Sequence, residues 1–251
     1  MIRISPLLLL LLALAVTVTA QPNPEDILVD ATFVPCSDSV ESLLILRDGR
    51  AVYALGKRGA MFTITGALLI DLQNVVDSSS SHVDTRKLDS CTTLGVILDG
   101  PKFILINTDR PAPQSRELYS RLERIRKLGQ RKMDGTIERF GDDIGMQLDS
   151  NLHSEASIEP NEVRRRVRLS PIAREWRCSG TVNVAALVSH QGKVRQAFVQ
   201  RVSVRGKCAS LLIAAALRAV LLSSFEPATN KSGTPMGSWM EIEVPFARPP
   251  R

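Results

Sequence analysis

Aromatic residues are scarce in this chain of 251 residues: they make up 4%, with 2 Trp and 2 Tyr. An exposed stacking platform for single-stranded nucleic acid is therefore excluded. Histidine is scarcer still, at 3. His82, His153 and His190 stand apart, with no partner at helical spacing and no cysteine beside them, so no metal site is expected. The cysteines, Cys36, Cys91, Cys178 and Cys208, form no C-x-x-C pair, and no Gly-rich phosphate loop is present. Ser78 to Ser81 with His82 and Asp84 supply hydrolase residue types, but a serine-rich loop lacks the fixed base and oxyanion donors that a nucleophile needs. The expectation is a protein that is not an enzyme, with no catalytic residue, metal or cofactor.

The rest is globular in character. Hydrophobic residues reach 44% and charged residues 23%, with 15 Gly and 14 Pro, close to the averages of folded soluble proteins and unlike collagen or disordered chains. The net charge of +6 is unevenly placed. Residues 21–126 hold 12 Lys or Arg against 14 Asp or Glu, 127–168 hold 8 against 8, and 169–251 hold 11 against 4. The basic excess thus belongs to the C-terminal third.

Residues 1–20 combine Arg3, an unbroken apolar run from Leu7 to Val16 and small residues up to Ala20. That pattern fits a secretory signal peptide cleaved after Ala20. The apolar stretch falls short of the ~20 residues that cross a bilayer, so export to the periplasm or beyond is expected, with an inner-membrane anchor as the alternative. An oxidising compartment favours disulfides over free thiols. Four cysteines allow three pairings; Cys36 with Cys91 and Cys178 with Cys208 would place one bridge in each of two small domains.

Those domains are expected at 25–128 and 168–251, with a polar linker at 129–167, in an α+β protein. In the first, Ser42 to Leu46 and Ala51 to Leu55 flank Asp48-Gly49 as a hairpin. Thr65 is positioned to cap a helix through Asp77. Thr92 to Leu98 and Lys102 to Asn107 form a second hairpin around Asp99-Gly100-Pro101, and Pro111 to Lys132 an amphipathic helix. The order is β-β-α-β-β-α. In the second, a short helix follows Ser170-Pro171, strands span Gly180 to Val188 and Lys193 to Val204, and Ala209 to Leu222 is a packed helix. Trp239 to Phe246 then alternates, with Met240, Ile242, Val244 and Phe246 inward and Glu241 and Glu243 outward. Leu211, Leu221 and Phe225 extend the apolar surface of the Ala209 helix around its far side, so either the first domain or a second copy of the chain, in a homodimer, must cover it.

The order of these pieces and the residues that punctuate them resemble the C-terminal domain of TonB, the energy transducer of Gram-negative envelopes. The resemblance rests on Ser170-Pro171-Ile172-Ala173-Arg174, Gly180-Thr181-Val182, Gly192-Lys193-Val194, Ala215 to Val220, Phe225-Glu226-Pro227-Ala228 and Trp239 to Phe246, and it covers only residues 169–251. It implies an α-β-β-α-β unit with a three-stranded antiparallel sheet. Its last strand would pair with an extended segment of a protein partner, such as an outer-membrane transporter. Carried over, the docking residues are Trp239, Met240, Glu241, Ile242, Glu243 and Val244, and a proline at Ile242 is expected to abolish pairing.

The chain departs from the family in three respects: no long membrane helix at its start, a single proline (Pro160) in 129–167 where a Pro-rich spacer would lie, and Ser170 where the family has an aromatic. The function implied is edge-strand binding of a protein partner in the envelope, linked to transmembrane transport. The alternative is a structural or assembly protein with no free edge, in which Glu241 and Glu243 only guard against aggregation. The run Arg164, Arg165, Arg166 and Arg168 points to contact with a membrane surface. No nucleic-acid partner is expected.

Overall fold

The computed structural model describes residues 27–35, 40–83, 92–98, 102–140, 152–159, 161–204 and 206–247. The export segment 1–20, Cys36 and Cys91 lie outside the described residues.

The chain opens with strands β1 (Ile27–Pro35), β2 (Glu41–Leu46), β3 (Arg50–Leu55) and β4 (Arg58–Thr63), then helix α1 (Ala67–Ser78). Strand β5 (His82–Val83), the hairpin β6 (Thr92–Leu98) and β7 (Lys102–Asn107), and the long helix α2 (Pro113–Phe140) follow. The short pieces β8 (Leu152–Ser154), α3 (Glu162–Arg166) and α4 (Pro171–Glu175) lead into β9 (Gly180–Val188), β10 (Val194–Val202) and helix α5 (Cys208–Leu222). Strands β11 (Ala228–Asn230), β12 (Pro235–Met236) and β13 (Ser238–Phe246) complete the order.

Local chemistry explains the first turn. At the β2–β3 corner Gly49 has φ 86°, a region that L side chains resist, and Asp48 Oδ1 accepts the Arg50 N–H at 2.9 Å. The expected hairpin is therefore present. The chain then makes a further two-residue turn, and Leu55 lies opposite Arg58 to add β4, a strand whose short apolar centre between Arg58 and Thr63 gave no clear signal. Helix α1 starts at Ala67 without a side-chain cap, with Gly66 in the cap position. Thr65 does not serve that role. Ser170 does: its hydroxyl accepts the Ala173 N–H at 3.2 Å and starts α4.

The strands join in one ten-stranded sheet, ordered β13-β9-β10-β4-β3-β2-β1-β6-β7-β5. Eight of its nine pairings are antiparallel, and β5 runs parallel to β7. The expected α-β-β-α-β order is there, but β13, β9 and β10 are one end of this larger sheet rather than a sheet of their own. The join is Phe198 of β10 opposite Ala60 of β4. A second, small sheet, β12-β11-β8, ties residues 152–154 to 228–236.

Helices cover both faces. Along β2, Leu44 and Leu46 enter the core built on α5, whereas Leu43 and Ile45 enter the core under α1 and α2, as the period of two requires. Helix α2 runs to Phe140, past the expected end at Lys132, so the supposed linker begins as helix. It buries Leu118, Leu122, Ile125 and Met133. Gly129 lets it lie low: a Cβ there would stand 2.9 Å from the Tyr53 Cβ and 3.0 Å from the Phe62 Cζ. Helix α5 is apolar almost all round, and its core includes Leu44, Val52, Ala54 and Met61 of the first half as well as Val184 and Val199 of the second. Leu211, Leu221 and Phe225 belong to that same core. The first half of the chain thus covers the surplus apolar face.

Two devices pin this packing. Cys178, just before β9, is bonded to Cys208 at the start of α5, with Cα atoms 5.4 Å apart. On the other face, Arg126 of α2 holds Glu41 of β2 at 2.7 and 3.0 Å and Glu123 at 2.7 and 2.9 Å, while the Tyr53 hydroxyl donates to Glu41 at 2.7 Å. Arg126 also lies 5.6 Å from the centre of the Phe33 ring, a cation–π distance. Its hydrogen bonds hold the Glu123 carboxyl below its ordinary pKa, and burial, followed by the bond to Glu41, raises that of Tyr53.

Candidate functional site: the open sheet edge and its basic groove

The two ends of the large sheet differ in length. β5 has two residues, whereas β13 has nine, all paired to β9 from Ser238 opposite Val188 to Phe246 opposite Gly180. Among the described residues no strand lies against the far side of β13.

Which groups face that open side follows from one hydrogen-bonded pair. Thr181 of β9 accepts the Ser203 N–H at 2.9 Å and donates its own N–H to the Ser203 hydroxyl at 2.8 Å. Its main-chain groups therefore point toward β10 and away from β13. Because main-chain polar groups alternate sides along a strand, Pro245, opposite Thr181, turns away from β9, as do Glu243 and Glu241. Ile242 and Val244 point inward to the ladder. Pro245 has no N–H to offer, a placement that suits an edge. This overturns one expectation from the sequence: proline at Ile242 would break the ladder to β9, and the outward donors of this stretch are Glu241 and Glu243.

Side chains divide by face. Ile242, Val244 and Phe246 are buried against the α5 core, and Met240 packs on it partly buried. Glu241 and Glu243 are exposed on the opposite face. Trp239 lies on that face too, its ring edge-on to Phe198 with centroids 5.8 Å apart. The six residues expected to dock a partner therefore share one strand but not one surface.

The C-terminal end of β13 opens into a groove of about 950 Å³ lined by Arg164, Val167, Arg168, Leu169 and Arg174 on the helical side and by Gly180, Thr181, Pro245, Phe246 and Ala247 on the strand side. The arginine run is split there by acid partners. Arg165 pairs with Glu159 at 3.1 Å and Arg166 with Glu162 at 3.2 Å, while Arg164 and Arg168 line the groove and are joined by Arg174. Arg168 bonds the carbonyls of Arg165 and Val167 at 3.0 and 2.9 Å, which fixes its direction. Beneath it, Asp30 of β1 and Arg218 of α5 share a small void with Ser42 and Ser170. Burial raises the pKa of Asp30 and lowers that of Arg218, each opposed by the other's charge.

The Ser78 and Ser79 hydroxyls donate to the Val75 carbonyl at 3.0 and 2.7 Å and close α1. His153 and His190 are exposed and far apart in the chain. Arg174 and the groove were missed in the sequence because Arg174 stands six residues beyond the arginine run, and only the fold brings the two together.

No family model, no curated protein and no solved structure matches this chain.

Proposed function

We propose that the protein is a binding module that captures an extended segment of a protein partner along the open side of β13, in the cell envelope. The observation that carries this reading is a nine-residue edge strand with the main-chain groups of Glu241 and Glu243 directed outward. Added strands gain affinity from main-chain hydrogen bonds and specificity from alternate side-chain pockets. Here Met240, Ile242 and Val244 lie on the core face and Glu241 and Glu243 on the other, so a partner strand with basic residues across from the two glutamates is favoured by cross-strand charge pairing. The resemblance to the TonB C-terminal domain supports the same reading, including a link to outer-membrane transport. Export through residues 1–20 would deliver the module to that compartment.

The test is a photo-crosslinker at Glu241 or Trp239 in intact cells, read with and without Glu243→Pro. The expected result is a discrete protein adduct that Glu243→Pro removes while the chain stays folded. An adduct that persists in Glu243→Pro rejects strand addition. In the purified complex, slowed amide exchange at Glu241 and Glu243 is expected. Unchanged exchange there would leave the structural alternative, in which the glutamates and Pro245 merely keep the edge from self-association.

A further inference from the structure

We infer that the groove at the end of β13 is a binding site for a phosphate-headed anionic amphiphile, with Arg164, Arg168 and Arg174 holding the head and Val167, Leu169 and Pro245 receiving the start of the apolar tail. Three observations converge on this ligand class. First, among the described residues the groove is lined by three guanidiniums and by no carboxylate. Arg164 and Arg174 make no side-chain hydrogen bond or ion pair among the described residues; the neighbouring acids Glu159 and Glu162 are engaged with Arg165 and Arg166 instead. Planar guanidiniums match phosphate oxygens with paired donors, which an ammonium does not.

Second, the remaining lining is apolar or small. A free inorganic ion would gain nothing from Val167, Leu169, Pro245 and Phe246, whereas an acyl chain buries surface against them. The groove's volume of about 950 Å³ lies at the upper end of ordinary ligand sites. Third, α4 carries Trp176 at its end, 39% exposed, two residues beyond Arg174. Trp is a residue that favours the boundary between headgroups and hydrocarbon. A second basic hollow of about 540 Å³, lined by Arg131, Lys132, Arg139 and Arg195 on the other face of the sheet, holds similar charge, but mainly polar residues and no comparable apolar wall surround it. The proposal stands apart from strand addition, since it needs no free main-chain group of β13.

The experiment is flotation of the purified chain with vesicles of phosphatidylcholine alone or mixed with phosphatidylglycerol, repeated with dodecyl phosphate or inorganic phosphate as competitor. Two paired variants remove equal charge: Arg164→Gln with Arg174→Gln, and Arg165→Gln with Arg166→Gln. The expected result is binding only to the mixed vesicles, weakened roughly tenfold or more by the first pair and about twofold or less by the second, with dodecyl phosphate competing far better than inorganic phosphate. Equal weakening by both pairs would show diffuse charge attraction and overturn the site. So would binding without preference for the anionic lipid, or equal competition by the two phosphates. A thermal melt of each variant confirms that it is folded, and the first pair gives up no described hydrogen bond.

Discussion

Strands β2 and β3 and strand β13 belong to one sheet, yet they live in different surroundings. The inner pair is covered on both faces: Leu43, Leu44, Ile45 and Leu46 are all 4% exposed or less, and the sequence there is an unbroken apolar run. β13 is covered on one face only, and its residues alternate between buried Ile242, Val244 and Phe246 and exposed Glu241, Glu243 and Pro245. The contrast teaches that position in a sheet is written in the side-chain period. An unbroken run marks a strand between two layers, and alternation marks one with a wet face.

The comparison breaks most severely at α5, the layer shared by inner and outer strands. Leu212→Ala should cost about 3 to 5 kcal/mol by cavity formation and unfold both halves in a single transition. Two separate denaturation transitions would show that the halves are independent. Removing the Cys178–Cys208 bridge with a pair of serines should cost about 3.5 kcal/mol for a loop of this length, read as a lower denaturation midpoint in the absence of reducing agent. Peptide mapping without reduction should recover Cys36 linked to Cys91, the two cysteines that remain once Cys178 is bonded to Cys208.

Arg126→Met tests the other face. It leaves Glu41 and Glu123 without their cation and should cost about 2 kcal/mol at neutral pH. The folded Glu123 has a pKa below its unfolded value, so its share of that stability is present above the unfolded value of about 4.3 and is lost as pH falls through the lower folded value. The wild-type and Arg126→Met curves of stability against pH should therefore converge in acid; a constant gap would disprove the coupling. The smallest expected effect is that of Glu243→Pro at the outer strand, under about 1 kcal/mol, since no ladder bond is removed. Ile242→Pro, one residue away, should cost about 3 kcal/mol. A larger loss for Glu243→Pro than for Ile242→Pro would mean that the main-chain directions along β13 are reversed.

Much of the local structure was legible. The turn at Asp48-Gly49, the helix start at Ser170-Pro171, the alternation of β13 and the all-apolar α5 each have a short-range cause in neighbouring side chains. The misses have causes too. β1 carries no clear strand pattern because Asp30 and Thr32 interrupt its apolar run, although Thr32 is 5% exposed. β4 has too few apolar residues to announce itself. Helix α2 continues through Gly129 and Gly135, residues that read as breakers, because Gly129 sits where the Tyr53 and Phe62 side chains leave no room for a Cβ. Of the candidate site, the strand was visible and its outward main chain was not, since that depends on the hydrogen bonds Thr181 makes to Ser203 on the neighbouring side.

The amino-acid order by itself determined the two hairpins of the first half, the alternation of β13, the apolar helix α5 and that α5 carries more apolar surface than three strands can bury, because these follow from periodicity and composition over a few residues. Only the tertiary structure decided that the first half of the chain supplies the missing cover, that two sheets become one, and that Arg174 meets Arg164 and Arg168 beside Pro245. Those are contacts between residues distant in sequence, and they are selected by burial of the whole apolar surface at once rather than by any local preference.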